Sequence, residues 1–220
     1  QKPIHFGNAQ MQSESSLLTD SSADFSQLNL EDVNNLHIHY GFVNSRVYEI
    51  KKVVNKNTLK IYPAAIKNEQ ISYSIGRHSY FKKEIANCLF IVLDTRSLRQ
   101  MHDINNPNQK DLSLLGNKQL NWLLKETAQT KADFVFIVSS VNLMIPHVSN
   151  KRNAKSNKDE AWTAFLSERE KILTHCDKMD KQFLFLTGDL HNSFALKIAD
   201  NIHEYASGPH NSYNHNSIAE

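Results

Sequence analysis

The chain has 220 residues, of which 40% are hydrophobic and 22% are charged, a composition typical of a globular domain with a sizeable core. This composition excludes collagen, coiled coil and wholesale disorder. The net charge of +2 comes from 25 basic and 23 acidic residues, so the chain as a whole lacks the electrostatic footprint of a nucleic-acid binder. The longest apolar runs, residues 89–93 and 134–138, are much shorter than the roughly 20 residues that cross a bilayer, and no transmembrane segment is predicted.

The first 85 residues form a polar region that is rich in predicted β-structure. The first 35 residues are dominated by Ser, Asn, Gln and Asp, a pattern that predicts loops with weak structure. After them, polar and apolar residues alternate in short segments rich in β-branched and aromatic side chains, a pattern typical of antiparallel strands. These segments are residues 37–40, 46–50, 58–62 and 71–75.

Residues 86–220 have the pattern of a layered α/β fold and are expected to continue one domain with the first region. Continuous apolar runs at 88–93, 134–138 and 183–186 predict strands that are buried on both faces. Apolar residues repeat every three or four positions over 120–128 and 162–176, which predicts two intervening helices. Residues 194–199 and 203–206 follow as a predicted hairpin.

The two cysteines, Cys88 and Cys176, are predicted to be buried free thiols. Neither lies in a Cys-x-x-Cys pair, and two cysteines are too few to staple a domain of this size. They therefore serve as small hydrophobic residues and do not identify a compartment.

The segment that follows the third apolar run carries the most informative side chains. Residues 183–186 are followed by Thr187-Gly188-Asp189-Leu190-His191-Asn192, so a carboxylate and an imidazole lie two positions apart at the carboxyl end of a strand. Ligands of open α/β sheets bind at this edge, and a carboxylate and an imidazole can converge there on one divalent metal. The alternative is a hydrogen-bonded turn with an ordinary surface histidine.

Three further groups are candidates for the same edge. Asp94 and Arg96 follow the first apolar run, where a guanidinium could hold a phosphate oxygen; the alternative is a structural ion pair that closes a loop. Ser139 and Ser140 follow the second run, but they lack the Gly-x-Ser-x-Gly pattern of a nucleophilic serine. His210 follows a Gly-Pro turn and would reach this edge if the hairpin folds back.

Six blocks of the sequence, taken together, resemble those of the PhoD-like alkaline phosphatases, which are metallophosphoesterases related to the calcineurin-like superfamily. The similarity extends over roughly residues 70–212. Its blocks are 71–80, Leu93-Asp94-Thr95-Arg96, Leu114-Leu115-Gly116-Asn117-Lys118-Gln119 with Trp122-Leu123, Val138-Ser139-Ser140-Val141, Glu160-Ala161-Trp162 with Arg169, and 187–192. They occur in the order of that family.

The resemblance implies a two-layered β-sandwich flanked by helices, with two divalent metal ions at the sheet edge. It implies that Asp189 and His191 are metal ligands, and that the substrate is a phosphate monoester or diester. Arg96, Asn192 and His210 are the candidate residues for contacting the phosphate or for supporting the ligands. The metal could be Fe, Ca, Zn or Mn, since two ligands do not select among them. A periplasmic or secreted location fits this resemblance.

The chain departs from the family pattern in its first third. The superfamily takes further ligands from an early aspartate, a Gly-Asp pair and an asparagine block, and we find none of these here. Because the chain also begins at Gln1 without a methionine, we interpret it as the carboxyl-terminal portion of a longer phosphatase. This portion is expected to be inactive by itself, because the other metal ligands would lie upstream of Gln1.

Two other functions are compatible with the same residues. The first is a non-catalytic binding module that keeps the α/β core and a vestigial site. The second is a different hydrolase with a mononuclear site of Asp189, His191 and His210, which requires all three side chains to reach one ion.

Overall fold

A computed structural model describes residues 3–31, 33–100, 106, 108–110, 112–146 and 161–209, with only the backbone of residue 34. The chain divides into two compact units, Gln1–Ser79 and Tyr80–Glu220. Each unit has its own cluster of buried hydrophobic residues.

The first unit is a closed barrel of six antiparallel strands in the order β1-β2-β5-β4-β3-β6. The strands are β1 His5–Met11, β2 Leu17–Thr19, β3 Val33–Tyr40, β4 Val47–Asn55, β5 Thr58–Tyr62 and β6 Glu69–Arg77. The β-rich character predicted for this region is therefore confirmed.

The prediction of loops throughout the first 35 residues is wrong, because β1 and β2 lie in this segment. Most side chains of β1 are exposed or half-buried, and only Ala9 and Met11 are buried in the barrel. Leu18 and Phe25 are also completely buried. A strand with so few inward apolar residues has a polar composition overall, so its composition resembles that of a loop.

The second unit has a six-stranded mixed sheet in the order β11-β12-β10-β9-β8-β7. Strands β12, β10, β9 and β8 are parallel, whereas β11 and β7 are antiparallel to their neighbours. The elements are β7 Phe81–Ile85, β8 Cys88–Val92, α1 Asn117–Gln129, β9 Phe134–Val138, α2 Leu166–Asp177, β10 Gln182–Thr187, β11 Phe194–Ala199 and β12 Ile202–Ala206.

The predicted alternation of strands and helices in this unit is confirmed, and so is the hairpin of β11 and β12. Two details differ from the prediction. Residues Trp162–Ala164 form a short 3-10 turn, so α2 is shorter than the predicted helix. In addition, the described part of this unit has one sheet, so a two-layered sandwich is not seen there.

Both cysteines are free, as predicted, but only Cys176 is buried, because Cys88 begins β8 near the surface and is half-buried. Burial raises the pKa of the Cys176 thiol to about 12. Within the described residues, neither α-helix combines the length and the apolar character needed to cross a membrane.

Candidate active site

The carboxyl ends of the four parallel strands lie side by side at one edge of the sheet. Val92 and Leu186 both pair with Val138, the last residue of β9. Backbone hydrogen bonds extend this alignment beyond the strands, from Leu93 N to Val138 O (2.9 Å) and from Ser139 N to Leu186 O (2.9 Å). The segments that follow β8, β9 and β10 are therefore neighbours, as the sequence predicts.

Asp189 lies at the centre of a tight turn directly after β10. Its φ is +71°, and Leu190 N donates a hydrogen bond to Gly188 O across it (2.9 Å). This geometry is that of a γ-turn, whose positive φ is strained for a residue with a side chain. The turn leaves the Asp189 side chain exposed and His191 half-buried. Both side chains therefore reach solvent at the sheet edge.

Asp94 is buried at the end of β8 and organises the segment that follows it. Its Oδ1 accepts hydrogen bonds from the backbone N–H groups of Arg96 (3.0 Å) and Ser97 (2.9 Å). Its backbone binds Gln119 twice: Asp94 N donates to Gln119 Oε1 (2.8 Å), and Gln119 Nε2 donates to Asp94 O (2.8 Å). Arg96 is exposed on this turn.

The serines after β9 join the neighbouring segments. Ser140 Oγ and Thr95 Oγ1 form a short hydrogen bond between the ends of β9 and β8. Ser139 Oγ accepts a hydrogen bond from Trp162 Nε1 (3.1 Å). Thus three of the sequence blocks contact one another through side-chain hydrogen bonds at the candidate site.

Glu204 is a completely buried carboxyl group on β12 that binds two neighbouring segments. Its Oε1 accepts hydrogen bonds from Leu143 N (2.7 Å) and Thr187 Oγ1 (2.9 Å), and its Oε2 accepts one from Met144 N (3.2 Å). It thereby fixes the loop after β9 against the last residue of β10, next to Gly188 and Asp189.

Glu168 has a similar role at the amino end of α1. It is buried, and it accepts hydrogen bonds from Ser113 Oγ (2.6 Å) and Leu114 N (2.6 Å). Burial raises the pKa of Glu168, and it also raises the pKa of Glu204, although the hydrogen bonds to each carboxyl group oppose the shift.

The raised pKa of Glu204 predicts that its contribution to stability depends on pH. A carboxyl group with a raised pKa in the folded state stabilises the fold below its unfolded pKa of about 4.5, and this contribution is lost as the pH rises through the folded pKa. The difference in unfolding free energy between the original chain and Glu204→Gln should therefore be larger at pH 4.5 than at pH 8.

Urea unfolding monitored by tryptophan fluorescence tests this, because both tryptophans, Trp122 and Trp162, belong to the second unit. Glu84→Gln, at an exposed glutamate of β7, is the matched control. A difference that grows as the pH rises would contradict the prediction.

Two buried polar atoms near the sheet edge make no hydrogen bond to any other described residue. They are Asp94 Oδ2 and Asn192 Nδ2. An acceptor and a donor of this kind suit a polar ligand, and the amide donor of Asn192 matches a phosphate oxygen.

The two candidate metal ligands after β10, Asp189 and His191, fit a divalent metal, since a carboxylate and an imidazole both bind Zn, Mn and Fe. Among the residues that the structure describes, however, no three His, Cys, Asp or Glu side chains are grouped so that they could hold one ion. His210 lies outside the described residues. The convergence of Asp189 and His191 on one cation stays a prediction.

Sequence reasoning places Asp94, Arg96, Asp189, His191 and Asn192 at one edge, and the structure brings their segments together there. Sequence reasoning missed the residues that hold the edge in place, namely Gln119, Glu168 and Glu204. The signal for Glu204 is its position between Ile202 and Ala206, which alternation predicts to be inward facing. Likewise, Glu168 lies four residues before Ile172, on the buried face of α2.

A mixed sheet with a polar edge at the carboxyl ends of its parallel strands places this unit among the α/β folds, whose open sheets bind ligands at that edge. A family model described as PhoD-like phosphatase matches residues 77–216, which is more than half of the chain. The chain therefore belongs to the PhoD-like phosphatase family, as the sequence blocks indicated.

Among solved structures, one titled "Structure of PhoD" is similar to this chain in fold, with a TM-score of 0.51 and 19% sequence identity. The similarity covers 60% of this chain and 29% of that chain, so this chain matches less than a third of that protein. No curated protein matches the chain.

Proposed function

We propose that the complete gene product is a metal-dependent phosphoesterase that hydrolyses phosphate monoesters or diesters at the sheet edge described above. Membership of the PhoD-like phosphatase family supports a phosphoester hydrolase. The single observation that carries the proposal is the strained turn that presents the Asp189 carboxylate to solvent beside the half-buried His191. Strained backbone of this kind is concentrated at functional sites.

In this proposal Asp189 and His191 hold one or both ions of a dinuclear site. When bound, divalent ions supply Lewis acidity and lower the pKa of a water molecule that attacks phosphorus. Catalytic metal sites commonly take three protein ligands per ion, so residues outside the described part of the chain would complete the set. We propose that the complete gene product contains the layered sandwich of the family.

The other residues of the edge would bind and orient the phosphate. The Arg96 guanidinium offers paired N–H donors that match two phosphate oxygens, and its exposure on the turn after β8 leaves it accessible to a substrate. Asn192 would donate its buried amide N–H to a third oxygen. His210 is proposed as a further phosphate contact or ligand support. These donors would stabilise the negative charge that develops on the oxygens during hydrolysis.

Asp189→Ala in the complete gene product is expected to lower metal-dependent phosphatase activity by at least about 100-fold, because it removes a ligand that holds the Lewis acid. The measurement is hydrolysis of an aryl phosphate monoester and diester with added divalent metal. Asp200→Ala, at a fully exposed aspartate in the turn between β11 and β12, is the matched control and should keep full activity.

Asp189→Gly separates the loss of a ligand from the loss of the fold. Glycine adopts the positive φ of this turn without strain, so this variant is expected to keep the fold while losing activity as Asp189→Ala does. Unchanged turnover in either variant would disprove the assignment. A complete protein that binds no stoichiometric metal would instead favour the non-catalytic binding module.

A further inference from the structure

The outer surface of the barrel carries two histidines that the proposed phosphatase does not use. His37 and His39 are both exposed on β3, and their ring centroids are 4.4 Å apart. In a regular strand, residues two positions apart lie on the same face, so their imidazoles can approach each other. Neighbouring imidazoles on one strand can form a chelate, because the backbone holds both rings in place.

An irregularity in the pairing of β3 with β6 positions the second imidazole. His37 pairs with Ser74 and Tyr40 with Ser72, and the register shifts between Ile38 and Tyr40. Bulges of this type redirect a side chain. His39 accordingly contacts Ser74, with 2.6 Å between His39 Nε2 and Ser74 Oγ. The Ser74 side chain, opposite His37, therefore supports the ring of His39.

This hydrogen bond defines which nitrogen of His39 is available. If Nε2–H donates to Ser74 Oγ, the tautomer is fixed and the lone pair is on Nδ1. Histidines that bind metals in proteins almost always donate their other ring N–H to a protein or water acceptor in this way. Ser74 is buried, so the partner is held rigidly beneath the ring.

The spacing of the rings matches that of two imidazoles on one ion. With a metal–nitrogen bond of about 2.0–2.1 Å, each ring centre lies about 3.2 Å from the metal, and two rings at angles of about 90–110° have centres about 4.5–5.2 Å apart. The observed separation of 4.4 Å is close to the lower end of this range. Rotation about χ2, a broad torsion in histidine, can turn a nitrogen of His37 toward Nδ1 of His39 without moving the His37 ring centre far, while the hydrogen bond to Ser74 holds His39 in place.

We propose that His37 and His39 form a two-imidazole site for one first-row transition-metal dication, separate in sequence and function from the proposed phosphatase centre. Imidazole suits Cu²⁺, Ni²⁺ and Zn²⁺, with Cu²⁺ bound most tightly. In the described part of the chain no third His, Cys, Asp or Glu completes a larger ligand group, so water would occupy the remaining positions.

The test is a Cu²⁺ titration of the full chain that carries Asp189→Ala and His191→Ala, which removes metal binding at the sheet edge from the measurement. We expect one Cu²⁺ per chain, with nitrogen superhyperfine splitting from two imidazoles in its electron paramagnetic resonance spectrum. Because joining two ligands raises affinity about 100-fold or more, His37→Gln and His39→Gln should each weaken binding by about 100-fold. Ser74→Ala should weaken it by about tenfold.

His203→Gln, at a half-buried histidine on β12, is the matched control and should leave the titration unchanged. Circular dichroism of each variant checks that the fold is intact, and the exposed His37 and His39 substitutions should not disturb the barrel. If His37→Gln binds Cu²⁺ with the original affinity and the original spectrum, the site does not exist. The outcome is independent of whether the complete gene product is a phosphatase, since both proposed metal ligands of that centre are absent from the tested chain.

Discussion

Glu204→Leu is expected to lower the free energy of unfolding of the second unit by about 3 kcal/mol or more, since each buried group left without a partner costs about 1–3 kcal/mol. The substitution leaves the N–H groups of Leu143 and Met144 and the hydroxyl of Thr187 without their acceptor. Leucine nearly fills the same volume, so the loss comes mainly from these donors and not from a cavity.

Glu204→Gln tests how much of this loss of stability comes from the hydrogen bonds that Glu204 accepts. The amide oxygen can still accept from Leu143 N and Thr187 Oγ1, but its NH₂ group would face the N–H of Met144. We expect a smaller loss of about 1–2 kcal/mol. Urea unfolding at pH 7, monitored by the fluorescence of Trp122 and Trp162, measures both losses. Equal stability of the leucine variant and the original chain would contradict the role assigned to Glu204.

The position of Glu204 links this energetic role to the proposed chemistry. Thr187, which donates to it, immediately precedes the Gly188-Asp189 turn, and Leu143 lies in the loop after β9. Arg169 Nη1 also donates to Leu143 O (3.2 Å), so this loop is bound from two sides. A sheet edge of this kind holds its polar groups in place before a ligand arrives, which is what a catalytic site requires.

Much of the second unit could be predicted from the sequence because its signals are local. The apolar runs of β9 and β10 and the repeat of Leu120, Leu123 and Leu124 correspond to regular elements. The first 35 residues could not be assigned in this way, since β1 is paired along its whole length with β6, more than 50 residues away in sequence. Pairing over such distances has no local signature.

The candidate site, like the fold, could be predicted from the sequence only in part. The order of strands, helices and polar strand ends predicts that Asp94 and Asp189 approach the same edge, because the carboxyl ends of parallel strands lie together. The left-handed conformation of Asp189 and the hydrogen bonds of Gln119 depend on tertiary contacts. No periodic pattern in the sequence predicts this conformation or these hydrogen bonds. The Leu-Gly-x-x-Gln block marks the position of Gln119 but does not indicate which backbone groups it binds.

Gln119→Met is the second substitution with a large expected effect. Gln119 is completely buried on α1, and it binds Asp94 N, Asp94 O and Leu115 O. Methionine keeps the length of the side chain and the helix propensity, so the change removes mainly these hydrogen bonds. Because Asp94 is itself buried, its N–H and C=O would be left without partners, at a cost of about 2–4 kcal/mol.

The matched control is Gln129→Met, at the exposed last residue of the same helix, which should change stability by less than about 0.5 kcal/mol. Tryptophan fluorescence in urea measures both variants. The Asp94 backbone leads directly into the turn that carries Arg96, and Asp94 Oδ1 accepts hydrogen bonds from the N–H groups of Arg96 and Ser97. Gln119→Met should therefore also increase the rate of amide hydrogen exchange at Arg96 and Ser97. A variant that loses stability while exchange at these two amides stays unchanged would show that Gln119 supports α1 alone and not the edge of the candidate site.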